Sequence, residues 1–178
     1  WDLPASIGAK VARPDKTVVQ VVGDYGFQFC MEELPVAVMY NVPFVCIVLN
    51  NGYLGLIRQA EKYNFDMNFE VQLWYEAVAE GASLAAPMMA EGGRKGAVGA
   101  GDSAKGRIEP GNQGRGFDFV KFAEACGAVG ERVSDPKEIR SAFERAVKSG
   151  RPYVIDIIME RDTDCSMGAS IDAVKEFE

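Results

Sequence analysis

The chain has 178 residues, 48% hydrophobic and 25% charged, with a net charge of −7. Such a length and balance suit one globular domain with a full-sized core and room for an embellishment, and the acidic surplus argues against a nucleic-acid footprint or attraction to an anionic membrane. Histidine is absent, which excludes Ser-His-Asp and Cys-His catalysis and any His-ligated metal within these residues.

Chemistry here must therefore rest on carboxylates, amides, backbone groups or a cofactor. No run of about 18 apolar residues occurs, so neither a membrane-spanning helix nor a signal peptide is expected. Cys30, Cys46, Cys126 and Cys165 show no C-x-x-C spacing. They read as structural thiols in a reducing cytoplasm rather than as disulfides or a zinc site.

In chain order, residues 3–12 carry apolar positions at helical spacing, with Asp2 as the expected N-cap and Pro4 tolerated in the first turn. A turn at 14–16 leads to the β-branched run "TVVQVV" at 17–22, a strand, and then to the loop "GDYG". Residues 27–40 read as a helix with Met31, Leu34, Val38 and Met39 on one face, kinked at Pro35. "PFVCIVL" at 43–49 is a second buried strand, closed by Asn50 and Asn51. Strand, helix and strand with a polar loop after each strand is the βαβ signature of a parallel sheet.

Residues 61–86 are ambiguous between helix and strand-then-helix. Residues 87–116 contain nine glycines in thirty positions and almost no large apolar group, the composition of a mobile excursion or insertion. Regular structure resumes with an amphipathic helix at 117–127 ending on Gly127, and a strand at 128–133. A helix follows at 135–150, with Asp135 capping, Pro136 at its first position and Gly150 closing it. A long buried strand occupies 152–160, and the tail at 161–178 has no assignable pattern. The expected fold is α/β, three layers, with a parallel sheet and helices on both faces.

The costly feature is the pair of asparagines ending a core strand, where polar side chains are depleted. In a parallel α/β sheet the C-terminal strand ends open on the ligand crevice. The competing explanation is a turn whose Asn side chains bond their own backbone. Neighbouring strands would bring Gly23-Asp24-Tyr25-Gly26 and Asn50-Asn51-Gly52 to one edge. A hard cation such as Mg²⁺ takes oxygen ligands and shares itself between protein and phosphate. One Asp carboxylate, one Asn amide oxygen and a backbone carbonyl supply half of its shell. Glycines let the backbone approach a diphosphate, toward which a following helix directs free N–H groups. An amide also coordinates without adding negative charge beside that diphosphate. "GD-x-G" alone is a weak signal; Asp24 and Asn51, 27 residues apart across a helix and a buried strand, are more restrictive.

That spacing resembles the thiamine diphosphate signature. "GDYGFQF", "NNGYLGLIRQ" and the late "SMG-x-x-x-D-x-V-x-EFE" pattern resemble the glyoxylate carboligase (tartronate-semialdehyde synthase) family, relatives of acetohydroxyacid synthase. The similarity covers 1–74 and 117–178, leaving the glycine-rich segment as an insertion. The resemblance implies a C-terminal diphosphate- and Mg²⁺-binding domain spanning 1–178 and lacking its first strand. It implies metal ligation by Asp24, Asn51 and the backbone oxygen of Tyr53. Cofactor contacts would come from Gly23, Tyr25, Gly26, Leu54, Gly55 and Leu56. Leu56 and Ile57 would lie near the thiazolium, where low polarity favours loss of a carboxylate; the alternative is helix core. Arg58 would either hold a glyoxylate carboxylate or be an ordinary exposed helix arginine.

The same resemblance places the activating glutamate on a pyrimidine-binding domain of a partner subunit, outside these residues, and FAD mainly on another domain. It implies a cytoplasmic homo-oligomer that joins two glyoxylates with loss of CO₂. The alternatives are a pyruvate-using acetohydroxyacid synthase and a diphosphate/Mg²⁺-binding module without turnover.

Overall fold

A computed structural model of the chain describes residues 1–65 and 117–159. They fall in two compact units, one holding Trp1–Tyr53 and 117–159, the other holding 54–65. The expectations for 66–116 and 160–178, including a glycine-rich insertion and the late motif, lie outside the described residues.

The first unit is an α/β sandwich. Helix α1 (Asp2–Ala12) precedes β1 (Val19–Gly23). Then come α2 (Asp24–Gln28), α3 (Leu34–Met39) and β2 (Val45–Asn50). Later in the chain come α5 (Phe119–Ala125), β3 (Val129–Val133), α6 (Ile139–Ser149) and β4 (Tyr153–Ile158). All pairings are parallel, in the order β1-β2-β4-β3. Each strand therefore presents its C-terminal end at the same edge. In the second unit, α4 (Gly55–Phe65) follows Tyr53 along the chain.

Both sheet faces are covered, as expected for buried parallel strands. On one face Val22, Cys46, Val48 and Val154 pack with Leu3, Phe27, Leu34, Ala37, Phe119 and Ala123 from α1, α2, α3 and α5. On the other, Val45, Tyr153, Ile155 and Ile157 pack with Ala142 and Ala146 of α6. Helix α5 lies so close to β3 that a Cβ on Gly130 would stand 2.7 Å from the Val120 carbonyl oxygen. Asp118 caps α5 by accepting from Lys121 N–H, and Gly150 ends α6 in the left-handed region at φ 62°.

Four local expectations are corrected. Asp2 is the first residue inside α1, not its cap; Trp1 holds that position, and no side chain caps the helix. The helix expected over 27–40 is broken: α2 begins at Asp24, and a 3-10 turn at Met31–Glu33 precedes α3. The reason is Pro35, which sits in the first turn of α3, where its missing N–H costs nothing. Met39 is exposed, and the buried face of α3 is Leu34 and Ala37. The helix expected over 135–150 opens as a 3-10 turn at Pro136–Glu138, with Asp135 accepting from Lys137 N–H. Among the cysteines described, Cys46 is buried while Cys30 and Cys126 are half-buried, all unpaired; Cys165 lies outside the described residues.

Candidate functional site

Strands β1 and β2 are direct neighbours in register, Gly23 opposite Leu49, so the two strand-end turns open side by side. Gly23 is extended, and Asp24 starts α2 with a side chain only 4% exposed. Its Oδ1 accepts from Tyr25 N–H at 2.7 Å and its Oδ2 from Gly52 N–H at 2.7 Å. One carboxylate thus ties the first loop to the second. Gly52 takes the left-handed region at φ 70°, which a side chain would resist. Asn51 Oδ1 accepts from Tyr53 N–H at 3.0 Å, and the Tyr53 ring is buried. This is the self-bonded asparagine turn, and it also orients the amide oxygen beside the Asp24 loop.

The Asp24 carboxylate receives only backbone N–H donors among the described residues, with no cationic side chain on it. Burial pushes its pKa above the ordinary aspartate value, and amides of Gly52, Tyr25 and Asn51 pull it back in part. The negative charge of Asp156 adds to the upward push. A buried carboxylate lacking a counter-charge is costly unless a cation is supplied. Among the described residues no group of three or more His, Cys, Asp or Glu side chains could hold a metal. A metal here would take one carboxylate together with amide and main-chain oxygens, a donor set that fits a hard divalent ion.

Asn50 and Asn51 differ in task. Asn50 belongs to β2, and its Nδ2 donates to Asp156 Oδ1 at 2.9 Å. Asp156 is wholly buried in β4, and its Oδ2 accepts from Arg132 Nε at 3.0 Å. Arg132 Nη2 donates in turn to Asp118 Oδ1 at 2.8 Å. Sequence reasoning missed Asp156, Arg132 and Asp118. The available signals were one aspartate inside "PYVIDII" and one arginine inside "AVGERV".

Tyr25 is exposed, its ring edge-on to Phe29 at 4.9 Å. Gly26 is packed closely, since a Cβ there would stand 3.0 Å from Val22 Cγ2. In the second unit, Leu54 accepts from Arg58 N–H at the start of α4. Leu56 and Ile57 are 52% and 50% exposed, so they are not helix core. Arg58 is 7% exposed; the expectation of an ordinary exposed arginine is corrected, because a guanidinium is buried only where other groups bond it.

Residues 1–98 and 89–157 match the family described as thiamine pyrophosphate enzyme, C-terminal TPP binding domain. The chain is 36% identical over 182 residues to a glyoxylate carboligase of Escherichia coli O157:H7, covering 100% of this chain and 26% of that protein. It is 30% identical over 183 residues to a probable acetolactate synthase large subunit of Methanococcus aeolicus, covering 99% and 24%. Among solved structures, the thiamine diphosphate-dependent 4-hydroxybenzoylformate decarboxylase of Rhodococcus jostii RHA1 superposes with a TM-score of 0.59 at 26% identity. That match covers 90% of this chain and 23% of the other. Similarity thus runs the length of the chain, which spans only a quarter or so of each relative.

Proposed function

We propose a specific task for this chain, which belongs to the thiamine pyrophosphate enzyme family as its C-terminal cofactor-binding domain: it holds the diphosphate end of the cofactor, through Mg²⁺, in a carboligase acting on glyoxylate. The observation that carries the metal assignment is the buried Asp24 carboxylate, bonded among the described residues only by main-chain amides and tied through Gly52 to the asparagine turn. Asp24, Asn51 and the Tyr53 carbonyl would supply the metal's protein oxygens. Gly23, Tyr25, Gly26, Leu54, Gly55 and Leu56 would offer the diphosphate main-chain contacts. Leu56 and Ile57, exposed at the start of α4, would keep water from the reacting carbon, and the buried Arg58 would orient the substrate carboxylate.

Thiamine diphosphate, when bound, supplies a carbanion centre that adds to a 2-oxo acid and accepts the electrons released with CO₂. The residues named here would bind and orient. The activating glutamate is assigned to a pyrimidine-binding domain of a partner subunit, and FAD to another part of the parent enzyme. We read the parent as a homo-oligomer and the stretch 87–116 as an insertion in one domain. Glyoxylate is favoured as substrate by the 36% identity across the whole chain. A pyruvate-using relative of the acetolactate synthases is the second reading, supported by 30% identity over 99% of the chain.

The test is to supply glyoxylate or pyruvate to the full parent enzyme, carrying this domain together with its pyrimidine-binding and FAD-binding parts, with thiamine diphosphate and Mg²⁺, and to identify the product. Tartronate semialdehyde with CO₂ supports the reading. Acetolactate, or no turnover with either acid, overturns the substrate assignment.

A further inference from the structure

We propose that Asp156 is a positioning residue for the metal-binding turn, holding Asn50 so that Asn51–Tyr53 leaves β2 in a single direction. The inference rests on the metal role of that turn proposed above. Its basis is the row of polar groups on one sheet face. Val48 of β2 stands opposite Asp156 of β4, which stands opposite Arg132 of β3. Asn50 lies two residues beyond Val48 and so on the same face. An aspartate at the centre of this row reaches Asn50 on one side and Arg132 on the other.

The donors are divided without overlap. Asp156 Oδ1 takes the Asn50 amide and Oδ2 takes Arg132 Nε, while Arg132 Nη2 is spent on Asp118. A carboxylate accepts and never donates when ionised. It therefore selects the NH₂ of Asn50 and turns that residue's amide oxygen away. The main chain of Asn50 is held as well, its carbonyl accepting from Met159 N–H at 2.8 Å. The residue immediately before the metal turn is thus fixed at its side chain by β4 and at its backbone by the residue that follows β4. Beyond it, Gly52 N–H is fixed by Asp24 and Tyr53 N–H by Asn51. Hydrogen bonds and a few peptide links run unbroken from the cap of α5 at Asp118 to Asp24.

Burying this set for stability alone is poor economy. A buried ion pair commonly does no better than apolar residues of the same volume. What apolar residues cannot do is choose an orientation for Asn50. Groups that orient metal ligands at one remove typically cost about 10- to 100-fold in metal affinity when replaced.

The experiment uses the intact protein with Asp156→Asn, Asp156→Glu, Asn50→Ala and the Asn50→Ala/Asp156→Asn double variant. Mg²⁺ affinity is measured by titration at saturating thiamine diphosphate. Hydrogen exchange of the Gly52 and Tyr53 amides is measured without metal. Asp156→Asn and Asn50→Ala are each expected to weaken Mg²⁺ binding by about tenfold or more and to speed exchange at both amides. Asp156→Glu should recover part of the affinity. The double variant should be no worse than the weaker single, because both changes break one link. If Asp156→Asn does not fold, Asn50→Ala alone carries the comparison, since it leaves the Asp156–Arg132 pair intact. Unchanged affinity and exchange in a folded variant, or losses that multiply in the double, would overturn the proposal. If the wild-type protein binds no Mg²⁺, the metal assignment fails instead. The positioning role is then decided by exchange alone, faster supporting it and unchanged refuting it.

Discussion

Asp24 and Asn51, the metal ligands proposed above, lie at strand ends, and neither belongs to the apolar clusters of the core. Asp24→Ala or Asn51→Ala should abolish Mg²⁺-dependent binding of thiamine diphosphate while the fold persists, read by fluorescence titration with and without metal. Asp24→Ala also leaves two amides without their acceptor, an unfolding penalty of about 1–3 kcal/mol; unchanged cofactor affinity in both variants would refute the metal site. Gln20 is the opposite case. It is 4% exposed and neither amide atom has a partner among the described residues, so Gln20→Leu should stabilise by about 1–2 kcal/mol, seen as a higher urea midpoint. A lower midpoint would mean that the amide is satisfied by a buried water. Residue identities alone pointed to Asp24 and Asn51, because hard-oxygen ligands and glycines have few other reasons to cluster at strand ends. They did not point to Asp156 or to the burial of Arg58. Those depend on which side chains three-dimensional pairing brings within reach.

Helix and strand contacts make their own forecasts. Gly130→Ala would drive a methyl into the Val120 backbone, pushing α5 from β3 at a cost of about 1–3 kcal/mol; the check is a thermal melt, in which Val120→Ala should not rescue a clash with backbone. On the opposite face, Glu131 accepts from both Arg145 and Tyr153. The Arg145 hydrogen bond holds the Glu131 carboxyl below its ordinary value, with Tyr153 adding to it against partial burial. The stabilisation is therefore complete above the ordinary glutamate range and is lost as pH falls through the lower folded value. The gap in melting midpoint between wild type and Glu131→Gln should hold at neutral pH and close in acid. The Tyr153 hydroxyl is pushed up to about 12, by burial first and Glu131 next. Its contribution should fade as pH climbs from the ordinary tyrosine value toward that figure, tracked by phenolate absorbance. At this scale the strands were legible to within a residue or two, because β-branched apolar runs have few alternatives. The break between α2 and α3 was not, since apolar spacing continues through Pro35 while its backbone cannot.

At the scale of the whole molecule, the described strands and helices enclose two apolar layers, so the 178-residue chain should melt cooperatively when expressed alone. We expect it to release no CO₂ from glyoxylate with thiamine diphosphate and Mg²⁺ present, since the activating carboxylate is assigned to a partner domain. Turnover by the pure chain above a protein-free control would place that base within these residues. The parallel α/β class was readable because strand, helix and strand recur with polar loops after the strands. The central place of β4 between β2 and β3 was not, because sequence order says nothing about which strand inserts between which. That insertion has a consequence for assembly in time. The Asn50–Asp156 bond joins residues 106 positions apart, so the turn after β2, already tied to Asp24 through Gly52, gains its second anchor only once β4 has been synthesised and has docked. Closing so long a span costs entropy that grows only as the logarithm of its length, roughly 0.6 kcal/mol per doubling. The intervening stretch can thus lengthen or shorten over evolutionary descent at little energetic cost, while a chain halted before β4 would leave the ribosome with Asn50 unanchored at both its side chain and its carbonyl.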